Sequence, residues 1–321
     1  MKREIAITMK KFLALILTLA MALSVTACGG GDDTAADAAG EENADTSGTS
    51  AEETVNYASM SDDELKAAVT TITAGTLTVA TSPDFAPYEF YAIDESGNAT
   101  LAGFEMSLAQ YIADYLGLEL EVVTMDFDGT LMELQNKTVD LGMAGYSPDP
   151  DRESIMDFSD IFYEGGQSFV TTQDKADLFT SLEDTNNPDY SIGAQNGSIQ
   201  ADLANTNSPD SDVVLLPKVT DIVTDLLAGN LDGAYIETVV AESYAANYPD
   251  LAVVLEVPYD QAGSVVGVSK GNAALLEGVN RAIAAAKEDG SMDQFVAEAN
   301  EQASGDIIEG LVDGGETSAE G

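Results

Sequence analysis

The stretch that opens the fold is Thr76-Leu77-Thr78-Val79-Ala80, a short and largely apolar run that predicts a buried strand. It is followed by Glu105-Met-Ser-Leu-Ala-Gln-Tyr-Ile-Ala-Asp-Tyr-Leu116, in which apolar residues recur at helical spacing. Gly117 marks the end of that helix, and Leu118–Val123 predicts the next strand. The sequence therefore alternates strand, helix and strand from its first ordered segment.

Two more elements extend this alternation. A helix is predicted over Phe127–Leu134 and a third strand over Val139–Ala144, which gives the order βαβαβ. Strands that alternate with helices favour a mostly parallel sheet covered by helices. The fold class is therefore α/β.

The pattern restarts after about residue 169. Strands are predicted at Tyr190–Ala194, Val213–Leu216 and Asp232–Ile236, and helices at Ser198–Ala204 and Val219–Ala228. Two similar units in series favour two lobes, with a single open sheet as the alternative. A strand over Ser264–Ser269 and a helix over Ala273–Lys287 follow, and the pattern alone does not assign them to either unit.

The N-terminus has the layout of a signal peptide over residues 1–27. Four basic residues precede an apolar run from Phe12 to Leu23, which is shorter than the roughly 20 residues that span a membrane. Val25-Thr26-Ala27-Cys28 resembles a bacterial lipobox, so we expect cleavage before Cys28 and lipid on its sulfur. The alternative for Cys28 is a small buried apolar residue. We expect an exported protein that lipid alone holds at the outer face of the bacterial cytoplasmic membrane.

Two polar segments flank the predicted lobes. Residues 28–54 are rich in Gly, Ala, Thr, Ser, Asp and Glu, and we expect a disordered tether with a reach of roughly 25–30 Å. Residues 303–321 are similarly polar and glycine-rich and predict a loose tail.

The charge composition excludes several classes of protein. The chain has 57 acidic and 12 basic residues, so nucleic acid is not an expected partner. It contains no histidine and one cysteine, which leaves no Ser-His or Cys-His pair and no disulfide within the chain. We expect no catalytic residues, no metal and no cofactor.

Four runs carry a resemblance to a known family. They are Leu77-Thr-Val-Ala-Thr-Ser-Pro-Asp-Phe-Ala-Pro-Tyr-Glu-Phe90, Leu101-Ala-Gly-Phe-Glu-Met-Ser-Leu-Ala-Gln-Tyr-Ile-Ala113, Asp140-Leu-Gly-Met-Ala-Gly-Tyr-Ser-Pro-Asp-Pro-Asp-Arg152 and Asp157-Phe-Ser-Asp-Ile-Phe-Tyr163. In order and spacing they resemble the polar amino-acid substrate-binding proteins of ABC transporters, family 3 of the solute-binding lipoproteins.

The resemblance implies a two-lobed, periplasmic-binding-protein-like clamshell of type II, whose chain crosses between lobes twice at a hinge. Residues 55–169 and 258–302 would form the first lobe, and residues 170–257 the second. A free amino acid would bind in the cleft, and the closed form would deliver it to an ABC permease. We expect a monomer.

Arg152 is the predicted donor to the ligand carboxylate. A guanidinium offers two parallel hydrogen bonds, which lysine cannot reproduce. The other arginine after the signal peptide, Arg281, lies in a predicted helix, and we expect it on the surface. The alternative for Arg152 is an exposed side chain paired with Asp151 or Glu153.

Gly145 and Ser147 follow the third strand, at the sheet edge where α/β proteins place ligands. The Ser147 hydroxyl is expected to reach the ligand. The resemblance implies Thr or Ser at position 149, where this chain has Asp149, so the role of Asp149 stays open.

The second lobe is expected to supply Ser198 and Glu237. Gly197-Ser198 precedes a helix, and a helix N-terminus favours an anion such as the ligand carboxylate. Ser198 is also a plausible N-cap, and both roles are compatible. Glu237 follows a predicted strand, where the resemblance implies an acidic acceptor for the ligand ammonium group.

Phe85, Phe127 and Ser82 are expected to set selectivity in the first lobe. The resemblance implies that both rings present apolar surface to the ligand, with core packing as the alternative. In the family that the sequence resembles, members that take basic ligands carry aspartate where this chain has Ser82. Its absence here favours a neutral or polar ligand. Asp84 and Asp128 lie close enough in sequence to supply the missing negative charge instead.

Two other functions remain as alternatives. Some dehydratases share this fold, so a carboxylate-based enzyme is one. An extracellular ligand sensor is the other, but a sensor normally continues into a transmembrane helix, and no later segment of this sequence is long and apolar enough.

Overall fold

A computed structural model describes residues 55–93, 97–260 and 263–303. The predicted signal peptide, Cys28, the tether and the tail beyond residue 303 lie outside the described residues. Within them, no helix combines the length and apolar character needed to cross a bilayer.

The described helices alternate with strands along much of the chain. The helices are α1 (Asp62–Ala68), α2 (Phe104–Leu116), α3 (Phe127–Asn136), α4 (Ile199–Asn207), α5 (Val219–Leu227), α6 (Thr238–Asn247), α7 (Ala273–Glu288) and α8 (Ser291–Ala303). The strands are β1 (Thr76–Thr81), β2 (Asp84–Phe85), β3 (Glu89–Ile93), β4 (Ala99–Ala102), β5 (Glu119–Thr124), β6 (Leu141–Gly142), β7 (Met156–Phe158), β8 (Gln167–Thr172), β9 (Ser191–Gln195), β10 (Asp212–Leu216), β11 (Gly233–Glu237), β12 (Leu251–Val257) and β13 (Gly267–Ser269).

The first lobe is built on a five-stranded sheet in the order β5-β1-β6-β13-β7. Strands β5, β1 and β6 are parallel, as predicted, whereas β13 runs antiparallel to both of its neighbours. The predicted strand over Val139–Ala144 is too long, because only Leu141 and Gly142 pair on both sides. Asp140 and Met143 still donate backbone hydrogen bonds to β1, so the segment follows that strand beyond β6.

The second lobe is built on another five-stranded sheet, in the order β10-β9-β11-β8-β12. Strands β10, β9 and β11 are parallel, and β8 runs antiparallel to both of its neighbours, β11 and β12. The expected lobe boundary at residue 169 falls inside β8, which pairs with β11 over its first four residues. The second sheet therefore takes in residues 167–169, which the sequence assigned to the first lobe. The alternative of a single open sheet is wrong.

The chain passes between the two sheets twice. It leaves the first sheet after β7 and returns between β12 and β13. An antiparallel bridge between Tyr163 and Ser264 ties these two connections together. The late strand β13 pairs with β6 and β7 and thus belongs to the first sheet.

The chain between β1 and α2 forms a small antiparallel sheet in the order β2-β3-β4. Gly103, which precedes α2, has φ +118°, and a Cβ there would lie 2.1 Å from the Tyr88 carbonyl oxygen. The backbone N–H of Glu105 donates to that same oxygen at 3.0 Å. The first turn of α2 is therefore held against the segment between β2 and β3, which fixes the direction of the Glu105 side chain.

Candidate functional site

Arg152 ends a short 3-10 turn that begins at Pro150. Asp149 caps this turn: its Oδ1 accepts from the Asp151 N–H at 2.9 Å, and its Oδ2 lies 3.2 Å from Arg152 Nε. Arg152 is 8% exposed. The alternative of an exposed arginine paired with Asp151 or Glu153 is therefore wrong, since the arginine is buried and its acidic partner is Asp149.

The Arg152 guanidinium lies where the two lobes meet. Its Nη2 donates to the Gly197 carbonyl oxygen of the second lobe at 3.0 Å, and its carbon lies 5.7 Å from the centre of the Phe127 ring. A guanidinium has five N–H donors. With Nε directed to Asp149 and one Nη2 hydrogen to Gly197, three donors remain, which suffices for two parallel bonds to a carboxylate.

Gly145 lies in the loop between β6 and the 3-10 turn. Its φ is +62°, and a Cβ would lie 2.4 Å from Cε1 of Phe85, so only glycine fits here. Its N–H donates to both carboxyl oxygens of Glu105 at 3.2 Å. Ser147, two residues later, is buried at the same edge of the sheet.

Ser198 caps α4 at its N-terminus. Its hydroxyl accepts from the Ala201 N–H at 3.3 Å and donates to the Gln195 carbonyl oxygen at 2.8 Å. The predicted N-cap is confirmed. Because Ser198 follows the Gly197 carbonyl that Arg152 contacts, the start of α4 lies beside the guanidinium.

Glu237 ends β11 and caps α6. Its Oε2 accepts from the Val240 N–H at 2.9 Å, while Oε1 accepts from the Gly166 N–H and from the Tyr88 hydroxyl, both at 3.3 Å. Burial raises the pKa of Glu237 to about 7, and the backbone hydrogen bonds offset part of that shift. A buried carboxyl group of the second lobe thus meets Tyr88 of the first.

Ser82 follows β1 directly and is buried. Its hydroxyl donates to Oδ1 of Asp84 at 2.7 Å. Oδ2 of Asp84 accepts from Gln195 Nε2 at 3.0 Å and from the Val219 N–H at 2.6 Å, and both donors belong to the second lobe. Burial raises the pKa of Asp84 to about 6, although the hydrogen bonds from Ser82 and from the Val219 N–H oppose the shift.

Phe85 and Phe127 are each 6% exposed and belong to apolar clusters. The Phe85 ring lies 5.4 Å from the Tyr88 ring, and the Phe127 ring lies 5.7 Å from the Tyr146 ring. Both rings therefore contribute to the core and also lie against site residues, Gly145 for Phe85 and Arg152 for Phe127.

The structure brings most of the predicted residues together through direct contacts. Arg152 joins Phe127 and Gly197, which precedes Ser198. Phe85 packs against Gly145 and against the ring of Tyr88. The Tyr88 hydroxyl in turn donates to Glu237. Ser82 reaches the second lobe through Asp84. Ser147 lies in the loop of Gly145, without a described contact to the others.

Sequence reasoning missed several residues that join the lobes. Tyr88, Gln195 and Val219 supply donors across the cleft, and Asn196 Nδ2 donates to Asp128 Oδ2 at 3.1 Å. Tyr88 stands inside one of the four runs quoted above, which was the available signal. The two amides follow a predicted strand directly, a position that open α/β sheets use for ligands.

Among the described residues, no group of three or more His, Cys, Asp or Glu side chains could hold a metal ion. The polar groups at the cleft are instead a buried cation, a helix N-terminus and buried carboxyl groups. Such a set can bind a small zwitterion from two sides.

Residues 77–299 match the family model of the bacterial extracellular solute-binding proteins, family 3. The chain belongs to this family. Its membership confirms the resemblance drawn from the sequence, and it makes the chain an extracellular solute-binding protein by class.

Three relatives illustrate the range of this solute-binding family. The arginine-binding extracellular protein ArtP of Bacillus subtilis is 30% identical over 223 residues, which cover 68% of this chain and 84% of ArtP. The crystal structure of the substrate-binding protein AbpA from Streptococcus pneumoniae, bound to L-arginine, superposes with a TM-score of 0.69 at 32% identity and covers 72% of this chain and 97% of AbpA. The cyclohexadienyl dehydratase of Pseudomonas aeruginosa is 26% identical over 190 residues, which cover 59% of this chain and 69% of the enzyme.

The match to AbpA also confirms the fold class. This family 3 solute-binding protein is a type II, periplasmic-binding-protein-like α/β clamshell, and its two connections between sheets are the expected crossovers.

Proposed function

We propose that this protein captures a free amino acid between its two lobes and delivers it to an ABC-type permease. The observation that carries the proposal is Arg152: a guanidinium buried where the lobes meet, with three N–H donors left after its protein contacts. Asp149 already pairs with the guanidinium through Nε, and a ligand carboxylate is a suitable acceptor for the three remaining donors.

The rest of the cleft suits the second charge of an amino acid. Glu237 is a buried acceptor on the second lobe, and the ligand ammonium group would replace the weak 3.3 Å contacts that its Oε1 makes to Gly166 and Tyr88. The N-terminus of α4 beside Arg152 favours the carboxylate. Because contacts to the ligand would come from both lobes, binding would favour the closed form.

A neutral, polar side chain fits the first-lobe pocket best. Ser82 is neutral, and the two nearby aspartates are engaged: Asp84 accepts two hydrogen bonds from the second lobe, and Asp128 accepts one from Asn196. A cationic side chain would have to compete with those donors. ArtP and AbpA are named for arginine, or were solved with it, so arginine is the competing outcome.

We propose a binding role without chemistry on the ligand. A dehydratase is among the relatives, but the binding proteins ArtP and AbpA match a larger share of this chain, which favours the binding role. The buried carboxyl groups are held by hydrogen bonds between and within the lobes, as expected for groups that orient a ligand.

The predicted lipid on Cys28 and the monomeric state complete the proposal. A lipid anchor followed by a tether would keep the lobes within reach of a permease in the same membrane. The acidic composition of the chain, with a formal net charge of −45, favours a soluble and separate particle over self-association.

The test is calorimetric titration of the purified protein with the twenty amino acids at pH 8, together with an assay for turnover of prephenate. We expect one or a few stoichiometric ligands, with glutamine or another neutral polar amino acid bound more tightly than arginine, and no turnover. Failure of every amino acid to bind would refute the binding role. Tighter binding of arginine would refute only the preferred ligand class.

A further inference from the structure

Two glutamates lie completely inside the first lobe. Glu89 begins β3 and Glu105 lies in the first turn of α2, and both are 0% exposed. The Glu105 N–H donates to the carbonyl oxygen of Tyr88, the residue before Glu89, at 3.0 Å, and the two carboxyl groups lie close enough for each to shift the pKa of the other. Neither oxygen of Glu89 has a hydrogen-bond partner in the described part of the chain.

A carboxyl group in this position must carry a proton. Two adjacent carboxylates repel each other, and burial makes the charged form of each more costly. The charged or titratable groups that act on the pair, Asp84, Tyr88 and Tyr146, bring no positive charge. A proton on Glu89 satisfies both groups, because it turns the contact into a charge-assisted O–H···O bond to Glu105.

The other side of Glu105 faces the ligand cleft. Both of its oxygens accept from the Gly145 N–H at 3.2 Å, and Gly145 lies tightly against Phe85. The backbone of Glu105 is fixed in turn by its hydrogen bond to Tyr88. A continuous series of neighbouring groups therefore runs from Glu89 through Glu105 to the loop that carries Gly145 and Ser147 and leads into the turn of Arg152.

We propose that Glu89 and Glu105 share one proton, and that this acid pair positions the Gly145 loop for ligand binding. Glu105 is the positioning residue, and Glu89 supplies the hydrogen that holds it. The binding part of this inference rests on the proposed function, whereas the shared proton concerns the protein without ligand.

The positioning role is tested by the amino-acid affinity of the variants Glu105→Gln and Glu105→Leu. The amide of the first still accepts from Gly145 and donates to Glu89, so we expect affinity within threefold of the parent protein. Leucine does neither, and we expect at least tenfold weaker binding. The control is Asp114→Asn, an exposed carboxyl on the same helix that contacts Gln110, which should leave affinity unchanged. Parent-like affinity of Glu105→Leu would overturn the positioning role.

The shared proton is tested without ligand, by the pH dependence of the unfolding free energy. Burial raises the pKa of both glutamates, so the folded protein holds a proton that the unfolded chain releases above about pH 4.3. This contribution is complete below that pH and is lost as pH rises towards the folded pKa values. Glu89→Gln donates through its amide instead, and should reduce the pH slope of stability by about one proton.

A direct measurement keeps the inference testable if Glu105→Leu does not fold. The Gly145 amide resonance of the ligand-free protein should shift with pH in the parent and in Asp114→Asn, and should stay constant in Glu105→Gln. The shared-proton proposal would be overturned if the Gly145 amide resonance of the parent did not change with pH. It would also be overturned if Glu89→Gln had the same pH slope of unfolding free energy as the parent. If no amino acid binds the parent, the proposed function fails, and these two measurements still decide the acid pair.

Discussion

Replacing Arg152 tests the ligand site most directly. In Arg152→Ala the three free N–H donors are lost, and with them the two parallel bonds proposed for the ligand carboxylate. Truncating one partner of a buried charged pair costs ~2–5 kcal/mol, which corresponds to at least about 30-fold in the dissociation constant. Asp149, 3.2 Å from Arg152 Nε, would also lose its partner and then repel the ligand carboxylate. We therefore expect a loss above this lower limit.

Two further variants separate these contributions. Arg152→Lys keeps the charge but offers no fork of parallel donors, so its affinity should lie between that of the parent and that of Arg152→Ala. The double variant of Arg152→Ala with Asp149→Ala removes the repulsion and should recover part of the loss. The assay is calorimetric titration at pH 8 with the ligand identified for the parent protein.

The chain offers a matched control. Arg281 lies on α7 and pairs with Asp62 and Glu277, each at 2.8 Å, without a described contact to the cleft residues. Arg281→Ala should leave the affinity unchanged. Affinity of Arg152→Ala within threefold of the parent would refute the assignment of Arg152 to the ligand carboxylate, and an equal loss in Arg281→Ala would show that the effect is not specific to the cleft.

Three further perturbations have expected outcomes: a change of pH, Gly145→Ala and Cys28→Ser. Because burial raises the pKa of Glu237 to about 7 and an ammonium ligand needs the ionised form, affinity measured by calorimetry should fall towards tenfold per pH unit below pH 7. The same raised pKa also affects stability: the contribution of protonated Glu237 to the unfolding free energy is complete below about pH 4.3 and is lost as pH rises through 7. The melting temperature of the ligand-free protein, followed by circular dichroism, should therefore fall over the pH range in which affinity rises. Constant affinity from pH 5 to 8 would contradict the role of Glu237. Gly145→Ala forces a Cβ to within 2.4 Å of Phe85 at φ +62°, and should lower the unfolding free energy by at least ~1 kcal/mol in denaturant titrations. Cys28→Ser should move the expressed protein from the membrane fraction to the soluble fraction, and unchanged membrane association would contradict the lipid anchor.

The elements predicted from the sequence are those in which apolar residues recur with a clear helical or strand-like period. The strands β1, β5, β9, β10 and β11 and the helices α2 to α5 and α7 lie where their patterns placed them, within a few residues. The small sheet was not predicted, because β2 has two residues and β4 has four, too few to show alternation. Strand β8 was missed as a separate element because it spans the expected lobe boundary.

The site divides in a similar way. The types of residue at the cleft came from the resemblance, and the structure shows Arg152 and Glu237 buried at the contact between lobes. Their surroundings came from contacts between distant segments, such as Asp84 with Val219, which are 135 residues apart. Local patterns contain no information on such pairs. The protonation of Glu89 likewise depends on burial and on an acidic neighbour that packing alone brings close.

The attachment of α1 to α7 has a mechanical consequence. Arg281 of α7 pairs with Asp62 and donates to the Tyr57 carbonyl oxygen, so the N-terminal end of the described chain is bound to a helix of the first lobe. We expect the proposed tether, which precedes this end, to be connected mechanically to the first lobe rather than to the second. Among the described residues, the second lobe is joined to the first by the two connections at the hinge, by the contacts across the cleft and by the bond from Asn247 to the Ala303 carbonyl oxygen, and we expect the second lobe to be the one that moves. In the proposed lipoprotein, the first lobe would therefore keep its position relative to the membrane anchor while the second lobe closed over the ligand.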